Sequence, residues 1–192
     1  MMNDLVLDIP STYLKIEEKT SQVGFSMSSD KFIGSLLKTL SASKPTGNFL
    51  EIGTGTGLAL AWVVDGMDTN SKIVSIDNDP KLLEVAVEAF QGDNRVQLVC
   101  ADGEQWLEQY NGEKFDLIFA DSWPGKYCAV DKTLNLLKPG GFYVIDDMFP
   151  QAGWPDGHQQ KAETLIDYLE NREDIYLTKL DWSTGIIIAT KI

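Results

Sequence analysis

A glycine-rich run is the sharpest chemical signal in this chain of 192 residues. It reads Phe49-Leu50-Glu51-Ile52-Gly53-Thr54-Gly55-Thr56-Gly57, follows an apolar strand pattern and opens a helical one. Because glycine has no Cβ, the backbone can turn tightly there and approach a ligand closely. The run predicts a ligand-binding loop that includes Glu51, Gly53, Thr54, Gly55 and Gly57.

The spacing of these glycines separates the possible ligands. A nicotinamide or flavin dinucleotide fingerprint has the form G-x-G-x-x-G. Counting from Gly53 or Gly55 brings the third position to Leu58 or Leu60, so that fingerprint is absent. No Gly-Lys-Ser/Thr follows either, which excludes a Walker A loop. The pattern present is E-x-G-x-G-x-G.

Asp77 lies at the tip of the second predicted strand, about twenty residues beyond the glycines. An acidic side chain at that position can accept hydrogen bonds from both hydroxyls of a ribose. Asp77 and the adjacent Asn78 are therefore predicted to contact a nucleoside. Asp79 and Pro80 instead suit the cap and the first turn of the next helix.

Three more aspartates follow the fourth and fifth predicted strands: Asp121, Asp146 and Asp147. The carboxyl ends of parallel strands form the ligand crevice of an open sheet, so these side chains should converge. Three carboxylates are hard oxygen ligands that suit Mg²⁺ or Ca²⁺. Without a metal they repel one another, and one could keep a proton and act as a general base. Both alternatives stay open.

Alternating strand and helix patterns must position these residues. Continuous apolar runs typical of buried parallel strands are Asn48–Ile52, Lys72–Ile76, Val96–Cys100, Phe115–Ala120 and Gly141–Ile145. The helical patterns between them are Leu58–Val64, Pro80–Phe90, Gly103–Tyr110 and Tyr127–Leu137. Such alternation indicates βαβ units with right-handed crossovers.

The two ends of the chain add further elements. A helix is predicted over Ser28–Leu40, capped by Ser28 or Ser29, and another over Gln159–Asn171. Two strands separated by a short turn, Ile175–Trp182 and Gly185–Ile192, predict a hairpin. We therefore expect an α/β, Rossmann-like fold with a seven-stranded, mostly parallel sheet, a C-terminal antiparallel hairpin and helices on both faces. Because no linker divides the chain, residues 1–192 should form a single domain, with a helical segment over 1–45 packed on it.

The glycine run and the strand tips resemble motifs of the class I S-adenosylmethionine (SAM)-dependent methyltransferases. The sequences Val23–Ser28, Asp121–Tyr127 and "LLKPGGFYVIDD" are similar to the catechol and caffeoyl-CoA type O-methyltransferases in particular. This resemblance implies a methyltransferase fold and methyl transfer from SAM to a small-molecule acceptor, most plausibly a hydroxyl. It adds contacts with the cofactor from Met27, Ser28, Asp102, Gly103, Asp121 and Trp123. Asp102 would face the adenine amino group, although it also suits a helix N-cap.

The same resemblance implies a divalent metal held by Asp121, Asp146 and Asp147, and catalytic roles for Asp121, Lys126 and Asp146. The metal would lower the pKa of the acceptor hydroxyl. Two residues depart from the branch. Asp147 stands where the branch has asparagine, and Pro124 stands where it has a lysine base. Either Lys126 reaches the site from another turn, or the base is not a lysine.

Two rival functions are also compatible with the sequence. An aminopropyltransferase that uses decarboxylated SAM shares the fold, and an acidic pocket would suit its cationic substrate. A non-catalytic SAM-binding module would bind the cofactor without turnover. The glycine count disfavours a dehydrogenase.

The charge balance limits the partners. The chain carries 29 acidic and 16 basic side chains, a net charge of −13, which disfavours nucleic acid and anionic membranes. The first residues lack a basic and apolar leader pattern, so we expect a cytoplasmic protein. The resemblance allows a homodimer through the N-terminal segment. Cys100 is expected in a buried strand, and His158 on a solvated loop. The tryptophans of the predicted elements are expected to pack in the core or on the sheet: Trp62, Trp106 and Trp182. Four loop residues at the edge of the crevice could form a substrate wall: Trp123, Met148, Phe149 and Trp154.

Overall fold

The computed structural model describes residue 6, residues 8–151 and residues 153–192 of the chain. Within them the helices are Ser11–Val23 (α1), Lys31–Ala42 (α2), Leu58–Gly66 (α3), Pro80–Ala89 (α4), Gly103–Gln109 (α5), Val130–Asn135 (α6) and His158–Glu170 (α7). The strands are Asn48–Ile52 (β1), Lys72–Asp77 (β2), Val96–Cys100 (β3), Phe115–Ala120 (β4), Leu137–Ile145 (β5), Ile175–Leu180 (β6) and Ile186–Lys191 (β7). The expected absence of a leader sequence falls largely on residues 1–5 and 7, which lie outside the described residues.

The strands form one sheet in the order β3-β2-β1-β4-β5-β7-β6. The first five strands pair in parallel, and β7 pairs antiparallel with both β5 and β6. The strand order reverses between β1 and β4, so the carboxyl ends of these two strands flank a crevice. The predicted fold class is confirmed, including the antiparallel hairpin at the C-terminus.

Burial on both faces explains why the central strands are apolar. Phe49 and Leu50 of β1 are fully buried, and so are Leu117 and Ile118 of β4, because one member of each pair faces each of the two hydrophobic layers. The edge strand β3 differs, since Cys100 at its end is exposed. The prediction of a buried Cys100 is therefore wrong, because a strand paired on one side only is less well covered.

The N-terminal helices α1 and α2 pack on α3 through close contacts. The ring of Tyr13 meets Trp62 of α3 edge-on, with 5.6 Å between centroids. Gly34 of α2 lies so close that a Cβ there would come within 2.4 Å of the Trp62 ring. Trp62 is buried, as predicted, while Trp182 is 40% exposed and packs only partly, against Phe32.

Several element boundaries differ from those expected. Helix α2 is capped by Asp30, whose carboxylate accepts from the amides of Phe32 and Ile33; neither Ser28 nor Ser29 caps it. Helix α6 covers only Val130–Asn135, because Leu137 already pairs with Phe115 of β4 and starts the long strand β5. None of the helices in the described part of the chain combines the length and the apolar character needed to cross a membrane.

Candidate functional site

The glycine loop lies between the ends of β2 and β4. Gly53, Gly55 and Gly57 all have positive φ angles, of 105°, 53° and 93°, which strain other residues. The amide of Gly53 donates to the carbonyl of Ile76 at 2.9 Å. A Cβ on Gly53 would lie 2.9 Å from the carbonyl oxygen of Asp121, so the loop needs glycine to fit against the end of β4.

Asp77 holds the glycine loop through its carboxylate. Its Oδ2 accepts from the amide of Gly55 at 2.7 Å, and its Oδ1 accepts from the amide of Asp79 at 2.9 Å. The carboxylate is thus fixed at the tip of β2 and remains partly accessible. The neighbouring Asn78 is exposed, and Asp79 caps α4 as predicted.

Glu51 is a buried carboxylate beside the same loop. Its side chain is fully buried, and one oxygen accepts from the hydroxyl of Ser75, which also lies 2.5 Å from the hydroxyl of Thr54. The other oxygen, Oε1, has no hydrogen-bond partner among the described residues. The pKa of Glu51 is raised to about 8, mainly by burial and to a smaller extent by the charges of Asp121 and Asp77. Oε1 therefore lacks a donor or cationic partner among the described residues.

The expected adenine contacts lie at the tip of β3. Asp102 is exposed, and its carboxylate accepts from the amide of Gln105 at 2.9 Å, so it also caps α5. Gly103 is buried against Pro124, whose Cβ would lie 2.9 Å from a Cβ on Gly103. The third strand therefore meets the turn that follows β4.

The segment before α2 meets the site through residues other than those expected. Met27 is 80% exposed and Ser28 is exposed as well. Instead, the ring of Phe25 lies 3.0 Å from the position of a Cβ on Gly55, and the Ser29 hydroxyl donates to Asp121 Oδ2 at 2.8 Å. Neither Phe25 nor Ser29 is among the residues predicted to contact the cofactor, although Phe25 lies within the stretch Val23–Ser28 that carries the resemblance.

The three aspartates after β4 and β5 lie near enough to one another for the charges of Asp146 and Asp147 to act on Asp121. Asp146 is buried, and one oxygen of its carboxylate accepts from the amide of Asp147 at 2.8 Å and from the hydroxyl of Thr184. Burial raises the pKa of Asp121 well above its usual value, and Asp146 and Asp147 add to this rise. Burial likewise raises the pKa of Asp146 to about 6. Thr184, in the turn between β6 and β7, had no signal in the sequence.

Lys126 reaches this acidic cluster from the turn after β4. Its side chain is buried, and Nζ donates to the backbone oxygens of Asp146 at 2.6 Å and of Asp147 at 3.4 Å. Burial lowers the pKa of Lys126, while the three carboxylates oppose that change. Lys126 thus reaches the site from the same turn that holds Pro124, in which the amide of Lys126 donates to the carbonyl of Trp123 at 3.1 Å.

The sequence predicts a divalent metal at this acidic cluster. Among the residues that the structure describes, no three His, Cys, Asp or Glu side chains are grouped so that they could hold a metal ion. One oxygen of Asp146 and one of Asp121 already accept hydrogen bonds from hydroxyl groups. The positive charge of Lys126 acts on the carboxylates of Asp121 and Asp146 and lowers their pKa values.

An aromatic group surrounds His158 next to this cluster. Trp154 stacks on the imidazole with 4.0 Å between centroids, while Trp123 and Tyr127 meet it edge-on. His158 is only 8% exposed, so the prediction of a solvated histidine is wrong: the loop folds back and covers the ring. Trp123 and Phe149 are exposed at the edge of this region, whereas Met148 is buried.

Comparisons with known proteins agree with this geometry. The sequence model of the O-methyltransferase family matches residues 10–192. A "Putative O-methyltransferase" of Mycobacterium avium (strain 104) is 30% identical over 118 residues, which are 59% of this chain and 53% of that protein. The chain thus spans about half the length of the curated relatives it matches.

Solved structures extend the likeness over the whole fold. The SAH-bound methyltransferase PaMTH1 of Podospora anserina is 26% identical, with a TM-score of 0.81 and coverage of 96% of this chain and 89% of that chain. An O-methyltransferase from Bacillus cereus in complex with SAH is 20% identical, with a TM-score of 0.84 and coverage of 98% and 94%, and supports the fold alone. With a family match over residues 10–192, the chain belongs to the O-methyltransferase family.

Proposed function

We propose that this protein transfers a methyl group from SAM to a hydroxyl of a small molecule. The observation that carries the proposal is one oxygen of the buried Glu51, which has no partner in the described part of the chain, beside a glycine loop fixed by Asp77. A buried carboxylate oxygen without a hydrogen-bond partner is costly, and a cationic ligand would supply that partner. The methionine part of SAM supplies an ammonium group, and family membership supports this choice of ligand.

The residues around the loop have distinct roles in this proposal. Gly53, Thr54, Gly55 and Gly57 let the backbone approach the cofactor, and Asp77, followed by Asn78, accepts from the ribose hydroxyls. Asp102 and Gly103 face the adenine edge, with Trp123 at the side of the site and Phe25 against the glycine loop. Glu51 receives the ammonium group.

The protein contributes to methyl transfer mainly by alignment. The acceptor oxygen must lie in line with the methyl carbon and the sulfur, and holding this geometry removes much of the entropic barrier. Asp121 and Asp146, at the ends of β4 and β5, place negative charge near the sulfonium. Lys126 fixes the strand ends through the backbone of Asp146 and Asp147.

A divalent metal held by Asp121, Asp146 and Asp147 does not fit this donor set. The carboxylates already accept hydrogen bonds from Ser29 and Thr184, and Lys126 brings its own positive charge to the cluster. We therefore propose that transfer needs no Mg²⁺ or Ca²⁺. No step of the proposed reaction passes through a metal.

The rival functions differ in what they bind. An aminopropyltransferase would prefer decarboxylated SAM, which keeps the ammonium group that Glu51 would receive but lacks the carboxylate of SAM. A non-catalytic module would bind SAM without turnover. The net charge of −13 argues against nucleic acid and anionic membranes as partners.

Calorimetric titration tests the proposal. SAM, decarboxylated SAM and NAD⁺ are each added to the protein, with and without Mg²⁺, and methylation of a panel of small hydroxyl compounds is then followed. We expect SAM to bind and NAD⁺ not to bind. Binding of NAD⁺ alone would overturn the proposal, and tight SAM binding without turnover on any acceptor would favour the binding module.

The assembly and the cellular location are further parts of the proposal. We infer that residues 1–192 act as one cytoplasmic domain, and that a homodimer forms through the N-terminal segment. Light scattering coupled to size exclusion measures the mass directly. A monomer at micromolar concentration would exclude the dimer without affecting the proposed reaction.

A further inference from the structure

Tyr127 and His158 form a hydrogen-bonded pair next to the acidic cluster. The Tyr127 hydroxyl lies 3.1 Å from Nε2 of His158. The other ring nitrogen, Nδ1, is buried and has no hydrogen-bond partner among the described residues. A buried imidazole with one free nitrogen keeps the capacity to change its protonation state.

The pair is held in place by packing on several sides. Trp154 stacks on the imidazole with an interplanar angle of 12°, and Trp123 meets its edge at 84°. His158 is also the first residue of α7, and its amide donates to the carbonyl of Pro155 at 3.1 Å. These contacts leave the ring one orientation, with Nε2 towards Tyr127.

The location of the pair connects it to the site of the proposed reaction. Tyr127 directly follows Lys126, whose Nζ lies 5.2 Å from the centre of the tyrosine ring and donates to the backbone of Asp146. Tyr127 is partly accessible, whereas His158 is covered. An acceptor bound at the ends of β4 and β5 would therefore meet Tyr127 and not the imidazole behind it.

We propose that Tyr127 contacts the acceptor hydroxyl and that His158, acting through Tyr127, takes up the proton released by methyl transfer. This inference rests on the proposed function. As the acceptor oxygen bonds to the methyl carbon, the carbon–sulfur bond breaks and its electron pair stays on sulfur. The acceptor proton passes to the Tyr127 oxygen, and the Tyr127 proton passes to Nε2. The positive charge lost by the sulfonium reappears on the imidazole.

The surroundings are compatible with this proton path. Burial and the nearby cations Lys126 and Lys161 lower the pKa of His158, with Asp147 opposing them, so the ring is neutral near pH 7. Burial and the charge of Asp147 raise the pKa of Tyr127 to about 12, so it remains a phenol. Because Pro124 cannot act as a base, the tyrosine and histidine pair supplies the missing proton acceptor.

Kinetics of matched variants test this role. Catechol serves as the probe acceptor, and SAM is saturating. Tyr127→Phe should lower kcat by about 100-fold, as expected for loss of general base catalysis, with the KM for SAM unchanged. His158→Gln should lower kcat similarly and flatten the acidic limb of its pH profile. The double variant should be no slower than Tyr127→Phe alone, because the two residues act as one unit. Tyr176→Phe, which removes an exposed hydroxyl, is the control.

A nuclear magnetic resonance titration keeps the test independent of turnover. His158 is the only histidine of the chain, so the untagged protein gives one set of imidazole signals. Catechol added to the SAH-bound protein should shift these signals, and Tyr127→Phe should abolish the shift. Unchanged kcat in Tyr127→Phe, or imidazole signals that do not respond to catechol, would overturn the inference. Failure of the wild-type protein to bind SAM would instead overturn the proposed function.

Discussion

The ammonium of Lys126 donates to the backbone carbonyl of Asp146 across 2.6 Å, and both side chains are buried. This contact joins the turn after β4 to the end of β5, the two places from which the acidic cluster arises. The positive charge of Lys126 opposes the rise that burial and neighbouring carboxylates cause in the pKa values of Asp121 and Asp146. The cluster therefore carries its own counterion.

Chelation tests whether Lys126 makes a divalent metal unnecessary. Activity and thermal stability of the wild-type protein should not change with EDTA, and added Mg²⁺ should give no heat in calorimetry. Lys126→Gln should destabilise the fold by about 3 kcal/mol, because the charge-assisted hydrogen bonds of Nζ to the buried backbone oxygens of Asp146 and Asp147 are lost. Urea unfolding measures this loss. Activity that falls on chelation and returns with Mg²⁺ would contradict the proposal.

Glu51→Gln should stabilise the ligand-free protein at alkaline pH. The pKa of Glu51 is about 8 in the folded chain against 4.5 for an ordinary glutamate, so the folded state binds the proton more tightly. The resulting stability is complete below pH 4.5 and is lost as the pH rises towards 8. The free energy of unfolding of the variant should thus exceed that of the wild type by at least about 1 kcal/mol at pH 8. The two proteins should be equally stable near pH 4.5.

The same variant should bind SAM about tenfold more weakly, because one charge-assisted hydrogen bond is lost. Chemical unfolding from pH 5 to pH 9 and calorimetry measure the two effects. Glu84→Gln, on the exposed face of α4, serves as the control. Equal pH slopes for the wild type and Glu51→Gln would show that Glu51 is ionised in the folded protein.

The sequence predicted the central elements better than the edges and turns. Strands β1 and β4 are buried on both faces, so their apolar runs define them, and the aspartates after β4 and β5 follow from the topology of a parallel sheet. Cys100 lies on an edge strand, where the same apolar run carries no information on exposure. The α6 pattern was extended too far because Leu137, apolar in either structure, belongs to β5.

Tertiary contacts account for the parts of the site that the sequence did not predict. Ser29 and Thr184 reach Asp121 and Asp146 across 92 and 38 residues of chain. Neither contact leaves a local pattern. His158 was expected in solvent because it follows a turn, but the stack on Trp154 depends on how the loop folds back. Lys126 could be placed near the site only through its resemblance to a known branch.

Asp77→Asn should weaken SAM binding by about 10- to 100-fold. The carboxylate accepts from the amides of Gly55 and Asp79, and hydrogen bonds to a charged acceptor contribute about 1.5–3 kcal/mol. An amide group retains the shape but loses the charge and one acceptor. Calorimetry measures the affinity, and Lys81→Ala, an exposed residue of α4, is the control. An unchanged dissociation constant would remove Asp77 from the cofactor site.

Gly34→Ala should destabilise the packing of α2 on α3 without changing the affinity for SAM. A Cβ at this position would lie 2.4 Å from Cδ1 and Nε1 of Trp62, a side chain that is only 1% exposed and cannot move aside freely. Overpacking of this kind costs about 2 kcal/mol, although alanine by itself favours a helix. Urea unfolding measures the loss, with Thr39→Ala on the exposed face of α2 as the control. If Gly34→Ala were as stable as the wild type, the indole would have another place to pack, and the close approach of the two helices would not limit the sequence at this position.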